Sequence, residues 1–323
     1  QVVSLPYVDY LVRHEGERPL AQLCHALARG LDTGSVPNLL YRSGDAVVET
    51  AVCEPIHLNQ LPTPRFQDLL ENHYQEPVRI PVLQTRGCYW GKCTFCDIHL
   101  YVSGSRSYRH DDPARLAEQI GVLQRKHRHK SFEIVTTAMS PSYARRFSQA
   151  LIDAGTSVDW ETRIKYESQF DEDLFRSMVQ AGCRHISLGV ESVNDRVLKL
   201  MDKGDYNRAK IERLLKSAKR AGIEPIKIWL IPDFPTTTWE EAEEYGDFLE
   251  ANRDVLDVVH IFNFHALDHT PIVNDPEKFG IRMSDERERS VFGLHAIKFE
   301  PTRGMTRAEG QTMAARLRQR WAA

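Results

Sequence analysis

From Arg79 onward the sequence alternates short apolar runs with longer amphipathic segments, and this alternation restricts the fold more than any other feature. Strands are expected over 79–85, 132–137, 157–163, 184–190, 225–231 and 257–264. Helix signals fill the gaps. Asp112-Pro113 opens 113–127; Ser140-Pro141 opens 141–154, which Gly155 closes. Asp171 opens 172–181 before Gly182, and Asp205 opens 206–221 before Gly222. Thr238 and Glu241 form a capping box for 239–252. Strands linked through helices run parallel, with right-handed crossovers. The fold class is therefore α/β, and chemistry is expected on the loops that follow the strands' carboxyl ends.

The first such loop holds Cys88, Cys93 and Cys96, half of the six cysteines, in nine residues directly after Ile80-Pro81-Val82-Leu83. A disulfide would leave one thiol over, and the chain otherwise looks intracellular, where thiols stay reduced. A structural zinc usually takes four protein ligands, and no second Cys-x-x-Cys or His pair completes the set. A 4Fe–4S cube held by three thiolates leaves its fourth iron open to a small molecule. On these residues alone both metals remain chemically possible.

Cys88-x4-Cys93-Thr94-Phe95-Cys96 resembles the signature of the radical S-adenosylmethionine (radical SAM) enzymes, with one residue more than the usual Cys-x3-Cys-x2-Cys. That resemblance implies a partial (β/α)6 TIM-like barrel, a 4Fe–4S cluster on the three cysteines and S-adenosylmethionine (SAM) on the open iron. Phe95 stands where the family places an aromatic residue near the adenine. His185-Ile186-Ser187-Leu188-Gly189-Val190-Glu191-Ser192, continued through Lys203-Gly204, resembles the family's SAM-contacting strand and following helix. Gly189 permits close backbone approach there, and Glu191 can accept from ribose hydroxyls or an ammonium.

Other strand ends offer Thr136 and Thr137 where the family commonly carries a Gly-rich or acidic segment. Arg163 has the bidentate geometry to pair with the methionine carboxylate, although a solvated surface arginine fits as well. Pro232-Asp233 replaces the family's apolar-Gly pair and is expected to alter that turn. His260, Asn263, His265, Asp268 and His269 suit the polar lining of a substrate cavity better than a second metal. Cys183 reads as core, and Lys126–Lys130 as a solvated helix end matched to its dipole.

Ahead of the barrel, residues 1–34 carry a strand candidate at Tyr10-Leu11-Val12 and an amphipathic helix from Leu20 to Arg29, with Cys24 expected on its buried face. With Arg13-His14-Glu15-Gly16-Glu17 they resemble the end of the doubly wound (Rossmann-like) cobalamin-binding domain that precedes the barrel in one radical SAM branch. Residues 35–78 are expected to form a hairpin around Ser43-Gly44-Asp45, a Pro-punctuated linker and a short helix from Phe66 to Asn72. The barrel then occupies 79–270. Residues 271–323 are expected as a helical C-terminal extension, with one helix from Ser284, a break at Pro301 and another from Thr306 to Trp321.

With 42 basic and 45 acidic residues the net charge is −3, which gives no broad footprint for nucleic acid. No apolar run approaches the ~20 residues of a bilayer span, so no membrane partner is expected and the cytoplasm is the expected compartment. The chain opens on Gln1 and reads as a piece of a longer protein. The resemblance implies cleavage of SAM to a 5′-deoxyadenosyl radical, with a flavodoxin- or ferredoxin-type electron donor. The cobalamin branch adds methyl transfer to carbon, on a small molecule or peptide. Other radical chemistry, or a non-catalytic zinc module, are the alternatives.

Overall fold

The computed structural model describes residues 3, 5–71, 78–98, 108–289 and 295–323. Strand β1 (Tyr10–Val12), helix α1 (Glu17–Ala28) and the hairpin β2 (Leu39–Ser43) and β3 (Ala46–Glu49) form a small layer of their own. Its core is Leu23, Ala26, Val36 and Leu39. The helix buries Pro19, Leu23 and Ala26, not the expected stripe. Leu20, Leu27 and Leu31 are exposed, and so is Cys24, which corrects its expected burial. Periodicity identifies an apolar stripe; it does not say that anything covers it. The short helix α2 (Gln67–Glu71) follows the linker, and Asn72, its expected end, lies outside the described residues.

The central sheet contains β4 (Ile80–Leu83), β7 (Ser131–Val135), β8 (Asp159–Ile164), β9 (Cys183–Glu191), β10 (Ile226–Leu230) and β11 (Val258–Ile261). Between β4 and β7, the two-residue strands β5 (Thr85–Arg86) and β6 (Arg109–His110) pair across the cysteine loop. Spatial order in the six-stranded sheet follows chain order, and every pairing is parallel. A sheet wound in one direction by right-handed crossovers gathers its helices on one face. The connecting helices are α3 (Pro113–His127), α4 (Pro141–Asp153), α5 (Glu172–Gln180), α6 (Asp195–Leu200), α7 (Arg208–Arg220) and α8 (Trp239–Ala251).

Local signals explain these helix starts. Asp112, Ser140 and Asp171 accept from first-turn backbone N–H groups, and Thr238 closes its capping box with Glu241. One cap differs from expectation. Asn207, not Asp205, caps α7, and 195–200 forms a separate helix. The helix-facing strand residues, among them Phe132, Ile134, Trp160, Ile186, Leu188, Ile226 and Ile228, are almost completely buried and form the main core.

Beyond β11 come β12 (Ala266–Leu267), α9 (Pro271–Asn274), β13 (Ile281–Arg289), β14 (His295–Pro301) and α10 (Arg307–Ala322). The extension is therefore not wholly helical. The helix expected from Ser284 is instead an antiparallel strand, paired from Ile281↔Pro301 to Arg289↔His295. Ile281 and Phe299 pack with Phe234, Phe264 and Phe279 in a second core, and that burial overrides the helical look of Ser284-Asp285-Glu286. The final helix is as expected, with Thr306 and Glu309 in a capping box.

Candidate active site

The cysteine loop leaves the carboxyl end of β4 and is fastened on three sides. Thr137 Oγ1 donates to the Gly87 carbonyl at 2.9 Å. Thr94 N–H donates to the Met201 carbonyl at 3.0 Å, and its hydroxyl donates to the Leu200 carbonyl at 2.9 Å. Trp90 Nε1 donates to the Asp202 carbonyl at 2.6 Å. Residues 88–96 thus lie against the end of α6, the segment singled out with Gly189 and Glu191. On the other side Arg86 pairs with Glu15 and Glu17, and Glu15 also holds Arg109.

The three thiols are free, and all are half-buried. Burial raises the pKa of Cys93 and pushes Cys96 up to about 12, and both feel the charge of Cys88. Their mutual repulsion and desolvation are what a bound cation relieves. Beside Cys93 is a buried ion pair, Lys203 Nζ to Glu191 Oε1 at 3.4 Å. Burial disfavours the Lys203 ammonium, but the charges of Glu191, Tyr206 and Cys93 together outweigh it and the pKa is raised. Lys203 also faces the rings of Phe95 at 5.8 Å and Tyr206 at 5.2 Å. A second buried lysine, Lys165, lies 4.3 Å from the Trp90 ring and 3.1 Å from Glu167 Oε1.

Glu191 reaches this position through an unusual backbone. Its φ is +63°, in the left-handed region, at a register shift between β9 and β10. The turn folds its side chain back over Gly189, where an added Cβ would fall 2.4 Å from Glu191 Oε1. A side chain at Gly189 would push that carboxylate aside, so the glycine leaves Glu191 in place. Gly204, with φ +90°, likewise leaves room for Trp90, whose ring would lie 3.0 Å from a Cβ there.

Of the residues singled out in the sequence, Cys88, Cys93, Cys96, Phe95, Gly189 and Glu191 come together. Ser192 is fully buried behind them, where its hydroxyl accepts from Asn194 N–H. Thr136 is buried against Thr85, Oγ1 to Oγ1 3.0 Å. Arg163 turns to Glu133 at 3.6 Å and lies over the Trp229 ring. Lys203 joins Cys93 and Glu191 without having been expected to; its signal in the sequence is its place just before Gly204 in the segment that follows Glu191. Asp233 accepts from Phe264 N–H at 2.8 Å and Asn263 Nδ2 at 2.7 Å, fastening β10 to the segment after β11. Burial raises its pKa.

Among the described residues no three His, Cys, Asp or Glu side chains converge tightly enough to ligate one metal ion. A cube spreads its ligands over separate corners, and three neighbouring thiols beside two buried ammonium groups fit such a set.

With the site in view, its relatives can be compared. The radical SAM superfamily model matches residues 82–249, just over half of the chain. An uncharacterized methyltransferase of Pyrococcus horikoshii is 26% identical over 245 residues, covering 74% of this chain and 52% of that protein. The anaerobic magnesium-protoporphyrin IX monomethyl ester cyclase of Synechocystis sp. is 24% identical over 271 residues, covering 78% and 49%. The chain thus spans about half the length of these relatives. The radical SAM methyltransferase TsrM from Kitasatospora setae, solved with cobalamin and a [4Fe-4S] cluster, aligns at TM-score 0.69 and 17% identity over 96% of this chain and 68% of that one. The cobalamin-dependent enzyme OxsB aligns at TM-score 0.72 and 16% identity over 95% and 50%. At such identities the structural likeness speaks for the fold, while the family match speaks for descent: this chain belongs to the radical SAM superfamily of enzymes.

Proposed function

We propose that the chain is the catalytic part of a cobalamin-dependent radical SAM C-methyltransferase acting on a peptide or secondary metabolite. The single observation that carries the reading is the grouping of Cys88, Cys93 and Cys96 on one loop beside the Lys203–Glu191 pair. Cys88, Cys93 and Cys96 would hold the 4Fe–4S cluster and leave one iron for SAM. Bound there, the cluster supplies the electron that cleaves SAM, and cobalamin, where present, carries a methyl group.

The chain's own residues position and shield. Phe95, packed edge-on against Phe234, offers a ring face for the adenine. Glu191 accepts from ribose hydroxyls or the methionine ammonium, and Gly189 keeps the approach to it open. Lys203 replaces Arg163 as the cation for the methionine carboxylate, because it is buried beside Cys93 whereas Arg163 is 48% exposed. Ser192 and Thr136 brace the strand ends. Trp90, Tyr89 and Tyr206 exclude water around the two lysines. A flavodoxin- or ferredoxin-type protein supplies the electron.

Support for the cobalamin element comes from relatives and neighbours with cobalamin or methyltransferase in their names. Radical chemistry other than methyl transfer is the second reading, because relatives of similar identity are named as a cyclase and as a methylthiotransferase. The test is anaerobic reconstitution with iron and sulfide, followed by reduction with SAM. The expected results are a brown protein, 5′-deoxyadenosine, and loss of both when the three cysteines become alanine. A colourless protein that retains zinc would refute the cluster. Incubation with added methylcobalamin and deuterated SAM separates the two readings by whether a labelled methyl group reaches a substrate.

A further inference from the structure

The inner face of the sheet, away from the helices, carries a row of rings that the cluster site does not use. Trp229 on β10 and His260 on β11 are register partners. Their rings are inclined by only 21° with centroids 6.5 Å apart. Phe262 continues the row, 6.0 Å from His260 and again at 21°. At the other end the Arg163 guanidinium reaches across β9 to lie 5.7 Å from the Trp229 ring centre. The strand it crosses offers no obstacle, since Trp229 is in register with Gly189.

Rings kept for stability are buried here, as Phe132, Phe147 and Phe175 are. Phe262 is 51% exposed and Trp229 and His260 are half-buried, so ring edges and the outer side of Phe262 stay open to a ligand. The charges around them are unequal. Glu161 is engaged by His185 at 2.7 Å and Arg79 at 3.2 Å, and Glu133 lies 3.6 Å from Arg163. Among the described residues no carboxylate lies within ion-pairing distance of Lys227, which shares the register position of Ser187 with Arg163. Glu161 also feels the charge of Lys227, so two carboxylates, Glu133 and Glu161, are shared among three cations, Arg79, Arg163 and Lys227, and an anion would complete the row.

We propose that this row is the substrate platform, and that the substrate is a planar aromatic molecule bearing a carboxylate or similar anionic group. Its ring packs across the open edges of Trp229 and His260 and against the outer side of Phe262, and its anion faces Arg163 and Lys227. The proposal rests on the cluster reading above and gives that site its substrate class. The two places adjoin: the Cβ direction of Gly189, the register partner of Trp229, points to Glu191 Oε1 and to Lys203 Nζ at 3.5 Å.

The full chain is titrated by calorimetry with 2-naphthoate, with 2-naphthamide and with decahydro-2-naphthoate. The acid is expected to bind about tenfold more tightly than the amide or the saturated acid. Trp229→Leu should lose about tenfold, Trp229→Phe should keep most of the affinity, and Arg163→Gln should erase the preference for acid over amide. Equal binding of flat and saturated acids overturns the platform. So do a Trp229→Leu protein that binds like the parent and an absence of binding at about 1 mM. Reductive SAM cleavage is measured on the same wild-type sample. Cleavage without naphthoate binding refutes the platform alone; binding without cleavage refutes the cluster reading and leaves the platform standing.

Discussion

The two faces of the central sheet use the same strands for opposite purposes. On the helix side Phe132, Trp160, Ile186, Leu188 and Ile228 are buried and interlocked. On the inner side Glu133, Glu161, Arg163, Lys227 and Trp229 stand half-wet, with Arg163 paired to Glu133 across strands. Burial scales with apolar area removed from water, so the first face supplies most of the stability. The second contributes little, which leaves its side chains free to serve a ligand.

Four substitutions test that contrast by chemical denaturation. Trp160→Ala should cost most, about 4 kcal/mol, because it empties a site packed against Phe147 at 5.2 Å and removes the hydrogen bond to the Ala181 carbonyl. A loss no greater than that of an inner-face change would break the comparison. Lys203→Met is the inner-side exception, expected to cost about 3 kcal/mol by leaving the Glu191 carboxylate buried without its partner. Adding Glu191→Gln should restore part of it, and strict additivity would show that the two side chains do not interact. Thr238→Ala removes the α8 cap and should cost about 1 kcal/mol. Arg163→Gln should stay within about 0.5 kcal/mol of the parent, since its ion pair is long and exposed. A larger loss there would mean that the inner face is structural after all.

What could be read from the sequence follows the range of the interactions. Asp112-Pro113, Ser140-Pro141 and Thr238 act within one turn of their helices, and all three helices begin as expected. The cysteines lie close together in the chain, so their grouping needs no tertiary contact. Lys203 and Glu191 are twelve residues apart and join only because a left-handed turn folds the carboxylate back. A lysine is ordinarily assigned to the surface, which hides such a residue. Strand β13 depends on a partner beyond residue 294, and its charged sequence looks helical without that pairing. The exposed Leu20, Cys24 and Leu27 show the same limit from the other side, because a stripe's composition does not reveal what meets it.

The φ of +63° at Glu191 carries an evolutionary cost. A side chain held there forfeits about 1–2 kcal/mol that glycine would recover, and a buried ion pair is often outperformed by hydrophobic packing. Selection of this protein for heat resistance alone should therefore drift toward Glu191→Gly together with an apolar residue at 203. With the roles proposed for Glu191 and Lys203, the survivors would melt later and lose activity, so a thermostability library needs an activity screen from its first round.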